Sequence, residues 1–236
     1  MDITDILYTP LDIPPLPQFD ISDIKAWIAK NQSQEVSHEK DASQLLGNRY
    51  PWNIVYARQD TQWLNGFSQQ FPELAKFFYE AFGLDENDLE VVCFLPLRTD
   101  FEGIGFWHAD PDESGLRLYL ENSDAENADL LIKPTTKKFN SRKELGVIPR
   151  TGICDKVQQD VMHTVVPVPG PQANFLNNIN AVHAVSTKKK NIPRLAVLII
   201  SSLRISQLPP ATKNLILNSS NKFKDRTIYW TPPNES

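Results

Sequence analysis

The chain has 236 residues, of which 41% are hydrophobic and 22% charged, and a formal net charge of −5; this composition excludes a wholly disordered chain and gives no general attraction to nucleic acid or anionic membranes. No apolar run approaches the roughly 20 residues of a membrane helix, and the acidic start shows no secretory signal pattern. Cys93 and Cys154 are far apart, which argues against a disulfide framework or a cysteine zinc site. We therefore expect a cytoplasmic protein without nucleic-acid or membrane partners.

The first third of the chain predicts an extended arm followed by helices. Within the segment 1–48, four prolines in residues 1–20 fix φ and remove amide donors, so this arm should be extended. A short helix capped by Ser22 should follow up to Lys30, and a polar loop should complete the segment. Residues 49–58 have the composition of a strand. The rest of the 49–89 segment is predicted to be mostly helical, because its apolar residues recur at helical spacing until Gly83.

From residue 90 to 205 the pattern changes to short segments rich in β-branched and aromatic residues, most of them separated by turn residues. The predicted strands span residues 90–97, 104–107, 116–120, 130–133, 161–168, 173–176, 181–185 and 195–203. Such a series without intervening helices favours an antiparallel sandwich, jelly roll or barrel, with the helical first third packed on one sheet. Residues 206–236 would form a tail with one more strand at 215–217, and we expect one domain over 1–236.

The first candidate site lies at the end of the second predicted strand, where a single residue separates His108 from Asp110. Residues two apart in a strand project to the same face, so an imidazole and a carboxylate can grip one cation there. Pro111 then stops the strand and places the pair beside a loop. Asp112 has the same parity but lies beyond Pro111, so Asp110 is the preferred ligand.

A third ligand must come from further along the chain, where His163 and His183 remain. His183 is preferred because Arg194 follows it 11 residues later, at the start of a strongly hydrophobic segment, and a cation there needs an anionic partner. His163 is predicted to be structural or to lie on the substrate side. Two histidines and one carboxylate are typical of a non-haem Fe(II) centre with open coordination positions.

The set His108-x-Asp110, His183 and Arg194, with spacings of 75 and 11 residues, resembles the 2-oxoglutarate/Fe(II)-dependent dioxygenases. The resemblance covers about residues 90 to 205. It implies a mainly β fold with flanking helices and a double-stranded β-helix (jelly-roll) core. It also implies that His108, Asp110 and His183 bind Fe(II), and that 2-oxoglutarate and O2 are consumed to hydroxylate a substrate C–H bond, with release of succinate and CO2.

The resemblance further implies that Arg194 binds the distal carboxylate of 2-oxoglutarate. Many members carry Ser or Thr two residues after this arginine, whereas this chain has Ala196. A second contact to that carboxylate must then come from elsewhere, and Tyr119 and Asn122 are the candidates. The retained Asp110 favours hydroxylation over halogenation, because halogenating members replace this carboxylate with a small residue.

The substrate is predicted to be a small molecule or an amino-acid-type compound, since the chain is short and carries no accessory domain; a protein substrate stays open. Two alternatives to the dioxygenase interpretation also stay open. A cupin-like metal enzyme could use the same three ligands with Zn²⁺ or Mn²⁺ and would need neither Arg194 nor 2-oxoglutarate. A catalytically silent jelly roll would serve as a binding module and would not need the metal.

Overall fold

The structure, a computed structural model, describes residues 2–31, 55–58, 67–84, 91–97, 102–110, 113–122, 128–146, 155–168, 170–189, 194–201 and 203–233. Its helices with both ends described are α1 (Ile21–Asn31), α2 (Pro72–Phe82), α3 (Arg142–Leu145) and α4 (Pro210–Lys222), and residues 67–70 are also helical. Its strands are β1 (Ile6–Pro10), β2 (Val55–Arg58), β3 (Val91–Leu97), β4 (Gly103–Ile104), β5 (Ser114–Asn122), β6 (Ala128–Pro134), β7 (His163–Val165), β8 (Gln172–Asn177), β9 (Ala181–Thr187), β10 (Arg194–Ser201) and β11 (Ile228–Tyr229). The predicted cap at Ser22 is wrong, because α1 begins at Ile21 and the amide of Ser22 donates to Oδ1 of Asp20 at 2.7 Å.

The strands form two antiparallel sheets. The large sheet has the order β11-β1-β8-β5-β10-β3-β2, and the small sheet has the order β4-β9-β6-β7. From β3 to β10 the chain changes sheet at almost every step, and only β6 and β7 are consecutive strands of the same sheet. The predicted succession of short antiparallel strands is therefore confirmed, with shifts of a few residues at their ends.

The helices cover one face of the large sheet. Leu116, Leu118 and Leu120 alternate along β5 and share a buried apolar cluster with Phe78 of α2 and Ile216 of α4. Since side chains alternate between the two faces of a strand, the residues between these leucines face the other way. The prediction that helices of the first third pack on one sheet agrees with this arrangement.

A second buried cluster lies between the two sheets. Leu7 of β1 and Leu176 of β8 come from the large sheet, and Ile132 of β6 and Ala181 of β9 come from the small sheet. The β5 residues that alternate with the leucines, Arg117 among them, therefore face this space between the sheets.

The N-terminal arm joins the large sheet. Its extended conformation was predicted, and residues Ile6–Pro10 form strand β1, which pairs with β8 on one side and β11 on the other. Pro10 is at the end of the strand, where a residue without an amide donor is tolerated.

The predicted strand at residues 215–217 is wrong, because these residues lie inside helix α4. Leu215, Ile216 and Leu217 are three consecutive apolar residues, and such a short run cannot distinguish a strand from a helix by its period. Pro210, at the first turn of α4, is the residue that favours a helix start. Ile216 is fully buried, and the helix reaches the core through the face that carries this residue.

Two predicted strands are shorter than expected. Strand β4 covers only Gly103–Ile104 where a strand over 104–107 was predicted. Strand β7 covers only His163–Val165 where a strand over 161–168 was predicted. Predictions that concern the segments 32–54 and 59–66 lie outside the described residues. Within the described part of the chain, no helix has both the length and the apolar character needed to cross a bilayer.

Gly83 ends helix α2 at the point where this helix packs closely against α4, and its substitution should test that packing. It ends α2 with φ +65°, and a Cβ atom placed there would lie 2.9 Å from Cβ of Ala211. Gly83→Ala should lower the free energy of unfolding by about 2–4 kcal/mol in chemical denaturation, from left-handed strain plus the clash.

Gly146→Ala is the matched control for this prediction. Gly146 also has a positive φ of +71°, but the nearest atom to its added Cβ is the flexible end of Lys156. The free energy of unfolding of Gly146→Ala should therefore fall only by the cost of the left-handed backbone strain, about 1 kcal/mol. Equal losses in the two variants would contradict the close packing of α2 against α4.

Candidate metal centre

Two histidines from distant parts of the sequence face each other across the edge of the small sheet. The amide of His108 donates to the carbonyl of His183 at 2.9 Å, and the amide of His183 donates to the carbonyl of His108 at 2.8 Å. Residues paired in this way have neighbouring side chains, and the two ring centroids are 4.2 Å apart. Backbone pairing thus brings together the two histidines that the sequence selected.

Asp110 completes the group. Its Oδ1 lies 3.6 Å from Nε2 of His108, and its Oδ2 lies 3.6 Å from Nε2 of His183. One ligand atom from each of the three residues fits within 4.8 Å of the others. A metal ion with ligands at about 2.1 Å places neighbouring ligand atoms about 3 Å apart, so the three side chains are close enough to share one ion.

The ring of His108 is oriented for metal binding. Its Nδ1 lies 3.1 Å from the carbonyl oxygen of Phe106, and a neutral imidazole satisfies that contact by donating from Nδ1. Nε2 then keeps its lone pair, on the side that faces Asp110. Metal-bound histidines are commonly fixed through their other nitrogen in this way.

The protonation states also suit a cation. Burial lowers the pKa of His108 and holds the pKa of His183 well below its ordinary value, so both rings are neutral at pH 7. Burial raises the pKa of Asp110, but Arg117 and the two histidines together lower this pKa by a larger amount, so the net shift is downward. Two neutral imidazoles and an ionised carboxylate form the donor set that suits Fe(II).

Arg117 belongs to this centre and was not predicted. Its side chain is only 4% exposed, and its Nη2 donates to Oδ2 of Asp110. A signal was present in the sequence, because Arg117 stands between Leu116 and Leu118 on β5. A charged residue that alternates with buried leucines must face another buried space, where it needs a partner.

The residues predicted to bind 2-oxoglutarate are only partly described. Tyr119 is half-buried on β5, on the same face as Arg117. The side chains of Asn122 and Arg194 lie outside the described residues, although their backbones belong to β5 and β10.

The pairing of β5 with β10 relates Tyr119 to Asn122. Leu198 pairs with Tyr119 and Ala196 pairs with Asn122, with an irregularity between these two pairs. The partners on β10 are two residues apart and those on β5 are three apart. Strand β5 therefore carries one extra residue between these two pairs, a bulge that interrupts its regular alternation.

His163 is not one of the ligands that the structure brings together. It pairs with Ile132 on β6, and Ile132 also pairs with His183 on its other side. The two histidines therefore share a face of the small sheet but are two strands apart, about 10 Å. The prediction of a structural or substrate-side role stays a prediction, and Asp112 lies outside the described residues.

No family model and no curated protein sequence matches the chain. Solved structures are similar to it at low identity. EvdO2 from Micromonospora carbonacea var. aurantiaca is 12% identical with a TM-score of 0.48, over 89% of this chain and 93% of that one, and it has also been solved in complex with 2-oxoglutarate.

Two further structures are similar over most of their length. A Pseudomonas putida prolyl-4-hydroxylase is 15% identical with a TM-score of 0.37, over 86% of this chain and 96% of that one. EctD from S. alaskensis, solved with 2-oxoglutarate and 5-hydroxyectoine, is 11% identical with a TM-score of 0.44, over 87% and 78%.

Asn174 gives a test of the polar space next to this centre. It lies opposite Arg117 in the pairing of β5 with β8 and is 3% exposed, and its Oδ1 has no hydrogen-bond partner among the described residues. A buried acceptor without a partner costs about 1–3 kcal/mol. Asn174→Leu should therefore raise the melting temperature of the ligand-free protein, by roughly 3 °C.

Asn180→Leu is the control, because the buried Oδ1 of Asn180 accepts from the amide of Phe139 at 2.8 Å. This variant should melt at a lower temperature than the wild-type protein, since it leaves a buried donor without its acceptor. A lower melting temperature in both variants would show that the amide of Asn174 is satisfied within the fold.

Proposed function

We propose that the protein is a cytoplasmic, single-domain Fe(II)- and 2-oxoglutarate-dependent oxygenase that hydroxylates a C–H bond of a small molecule or an amino-acid-type substrate. The observation that carries this proposal is the convergence of His108, Asp110 and His183. Their spacing, neutral imidazoles and ionised carboxylate fit a non-haem iron site.

The strand order supports a jelly-roll core for this oxygenase. Strands β8, β5, β10 and β3 are neighbours in the large sheet, and β7, β6, β9 and β4 make up the small sheet. From β3 to β10 the chain changes set at every step except from β6 to β7, which is the winding expected of a double-stranded β-helix. The ligands then come from the segment after β4 and from β9, two neighbouring positions of the small sheet.

The three ligands would hold iron from one side and leave the remaining coordination positions for small ligands. When bound, iron and 2-oxoglutarate supply the oxidation: one atom of O2 enters the substrate as a hydroxyl group, and the other enters succinate as 2-oxoglutarate loses CO2. The protein supplies the ligand set, fixes His108 through Phe106, and surrounds the site with buried side chains.

Arg194 is proposed to bind the distal carboxylate of 2-oxoglutarate as a bidentate pair, which suits a planar guanidinium. It is the first residue of β10, four residues before Leu198, the partner of Tyr119. Tyr119 and Asn122 remain the proposed second contacts to that carboxylate.

Metal binding tests the ligand assignment. His108→Ala and His183→Ala should each abolish tight Fe(II) binding, measured anaerobically by equilibrium dialysis and metal analysis, because each removes one of three donors. His163→Ala is the matched control and should bind iron like the wild-type protein. Loss of iron from the His163 variant as well, or retention in the other two, would make the assignment wrong.

Dependence on 2-oxoglutarate tests the reaction class. Anaerobic titration of the iron-loaded protein with 2-oxoglutarate should produce a saturable visible charge-transfer band, which His108→Ala lacks. Arg194→Ala should need at least about tenfold more 2-oxoglutarate for half saturation while retaining its iron, since it loses a charge-assisted pair.

The outcomes of this titration separate the three interpretations. If iron binds but no band develops, the oxygenase proposal fails and a cupin-like metal enzyme is favoured. If the wild-type protein binds no metal at all, a binding module is favoured. If Arg194→Ala titrates like the wild-type protein, only the role of Arg194 is wrong.

A further inference from the structure

Arg117 poses a physical problem that the proposed reaction does not answer. Its guanidinium is almost completely buried in the space between the sheets, and a buried cation is costly unless it is paired. It donates to Asp110, the one carboxylate of the metal group. The carboxylate that pairs with Arg117 is thus also the proposed metal ligand, and the contact affects how this ligand can bind the metal.

We propose that Arg117 is a positioning residue that holds one oxygen of Asp110 and thereby limits this carboxylate to a single bond with the metal. The inference rests on the proposed iron site. It concerns how many coordination positions that site leaves open, a property that the three ligands alone do not determine.

The two oxygens of Asp110 have different surroundings. Each oxygen lies 3.6 Å from Nε2 of one ligand histidine, Oδ1 from His108 and Oδ2 from His183, but only Oδ2 also accepts from the guanidinium of Arg117. A carboxylate oxygen engaged by a charged, directional donor is a poorer metal ligand than its neighbour, because its lone pair and part of its charge are already committed. The contact with Arg117 therefore makes Oδ1 the better ligand of two oxygens that lie equally close to the histidines.

The number of open positions makes this distinction matter. An octahedral ion has about six positions, and three protein donors leave about three. The proposed reaction needs all of these, two for the chelating cosubstrate and one for O2. If Asp110 gripped the ion through both oxygens, only about two would remain, and the cosubstrate would fill the site without room for O2.

Arg142 separates the effect of contact from the effect of charge. Its Nη2 lies 3.4 Å from the carbonyl oxygen of Ala109, the residue between the two ligands of the His-x-Asp motif. It is a cation near the same centre, and its field also acts on Asp110. If charge alone mattered, replacing either arginine would have a similar effect; if contact with the carboxylate matters, only Arg117 should.

The test counts water on the metal in the full-length protein. Mn²⁺ replaces iron, and the broadening of its electron paramagnetic resonance lines in ¹⁷O-enriched water reports the number of bound waters. The wild-type protein should hold about three waters, and about one after 2-oxoglutarate is added. The Arg117→Met variant should hold about two waters before 2-oxoglutarate is added and about none afterwards, because the released Oδ2 of Asp110 takes one coordination position on the metal.

Two variants sharpen this result. Arg117→Lys retains a charged donor and should return the counts toward those of the wild-type protein. Arg142→Met should leave the counts unchanged. Wild-type counts in Arg117→Met, or equal changes in the Arg117 and Arg142 variants, would overturn the proposed role.

A second measurement does not require the Arg117→Met variant to fold. Infrared difference spectra of the wild-type protein with and without metal show the two stretching bands of the ligand carboxylate, and Asp110→Asn identifies them by their loss. A wide separation of the bands marks a carboxylate bound through one oxygen, and a narrow separation marks binding through both and would overturn the proposal. Failure of the wild-type protein to bind Mn²⁺ or 2-oxoglutarate would instead count against the proposed function.

Discussion

Two backbone hydrogen bonds, from His108 to His183 and back, are the constraint on which the site depends. Strand β4 is only two residues long and lies at the edge of the small sheet. The segment that follows it is held to β9 by the amide of Gly105, which donates to Val185, and then by the two histidines. A metal ion bound by His108 and His183 would join the same two segments through their side chains. Metal binding and the stability of this edge should thus be linked, since binding to the folded state alone stabilises it.

Strand β5 connects the core of the molecule to its chemistry. Its leucines pack under the helices on one face, and its other face carries Arg117 and Tyr119 toward the small sheet. The space between the sheets is apolar where Leu7 and Leu176 meet the small sheet and polar beside Asp110. Apolar packing fills one part of this space, and the part beside Asp110 is lined by the polar side chains of the candidate site.

The sequence predicted the features that depend on short spacing. His108 and Asp110 could be paired because strand parity acts over two residues, and His183 could be selected by its relation to Arg194. The contact between Arg117 and Asp110 could not be predicted from spacing, because it joins the inner face of the large sheet to a segment beside the small sheet. The position of Arg117 between two leucines indicates that it has a buried partner but does not identify that partner.

Other differences between prediction and structure have the same origin in long-range contacts. Residues 215–217 have a local composition that suits a strand, and their burial against the rest of the core decides for a helix. The bulge in β5 between Tyr119 and Asn122 is a property of its pairing with β10, and no pattern within β5 predicts it. Single-strand parity is thus reliable only where the partner strand imposes no irregularity.

Charge balance at Asp110 ties the stability of the site to its proposed chemistry. Burial keeps both imidazoles neutral, and Arg117 compensates the carboxylate, so this group carries no net charge before a metal binds. A divalent ion then adds two positive charges in a poorly solvated space, where uncompensated charge is costly. An anionic chelating ligand relieves this cost in a way that water or a neutral ligand cannot. Because Arg117 already compensates the charge of Asp110, an anionic ligand such as the proposed cosubstrate would supply negative charge that these four side chains do not.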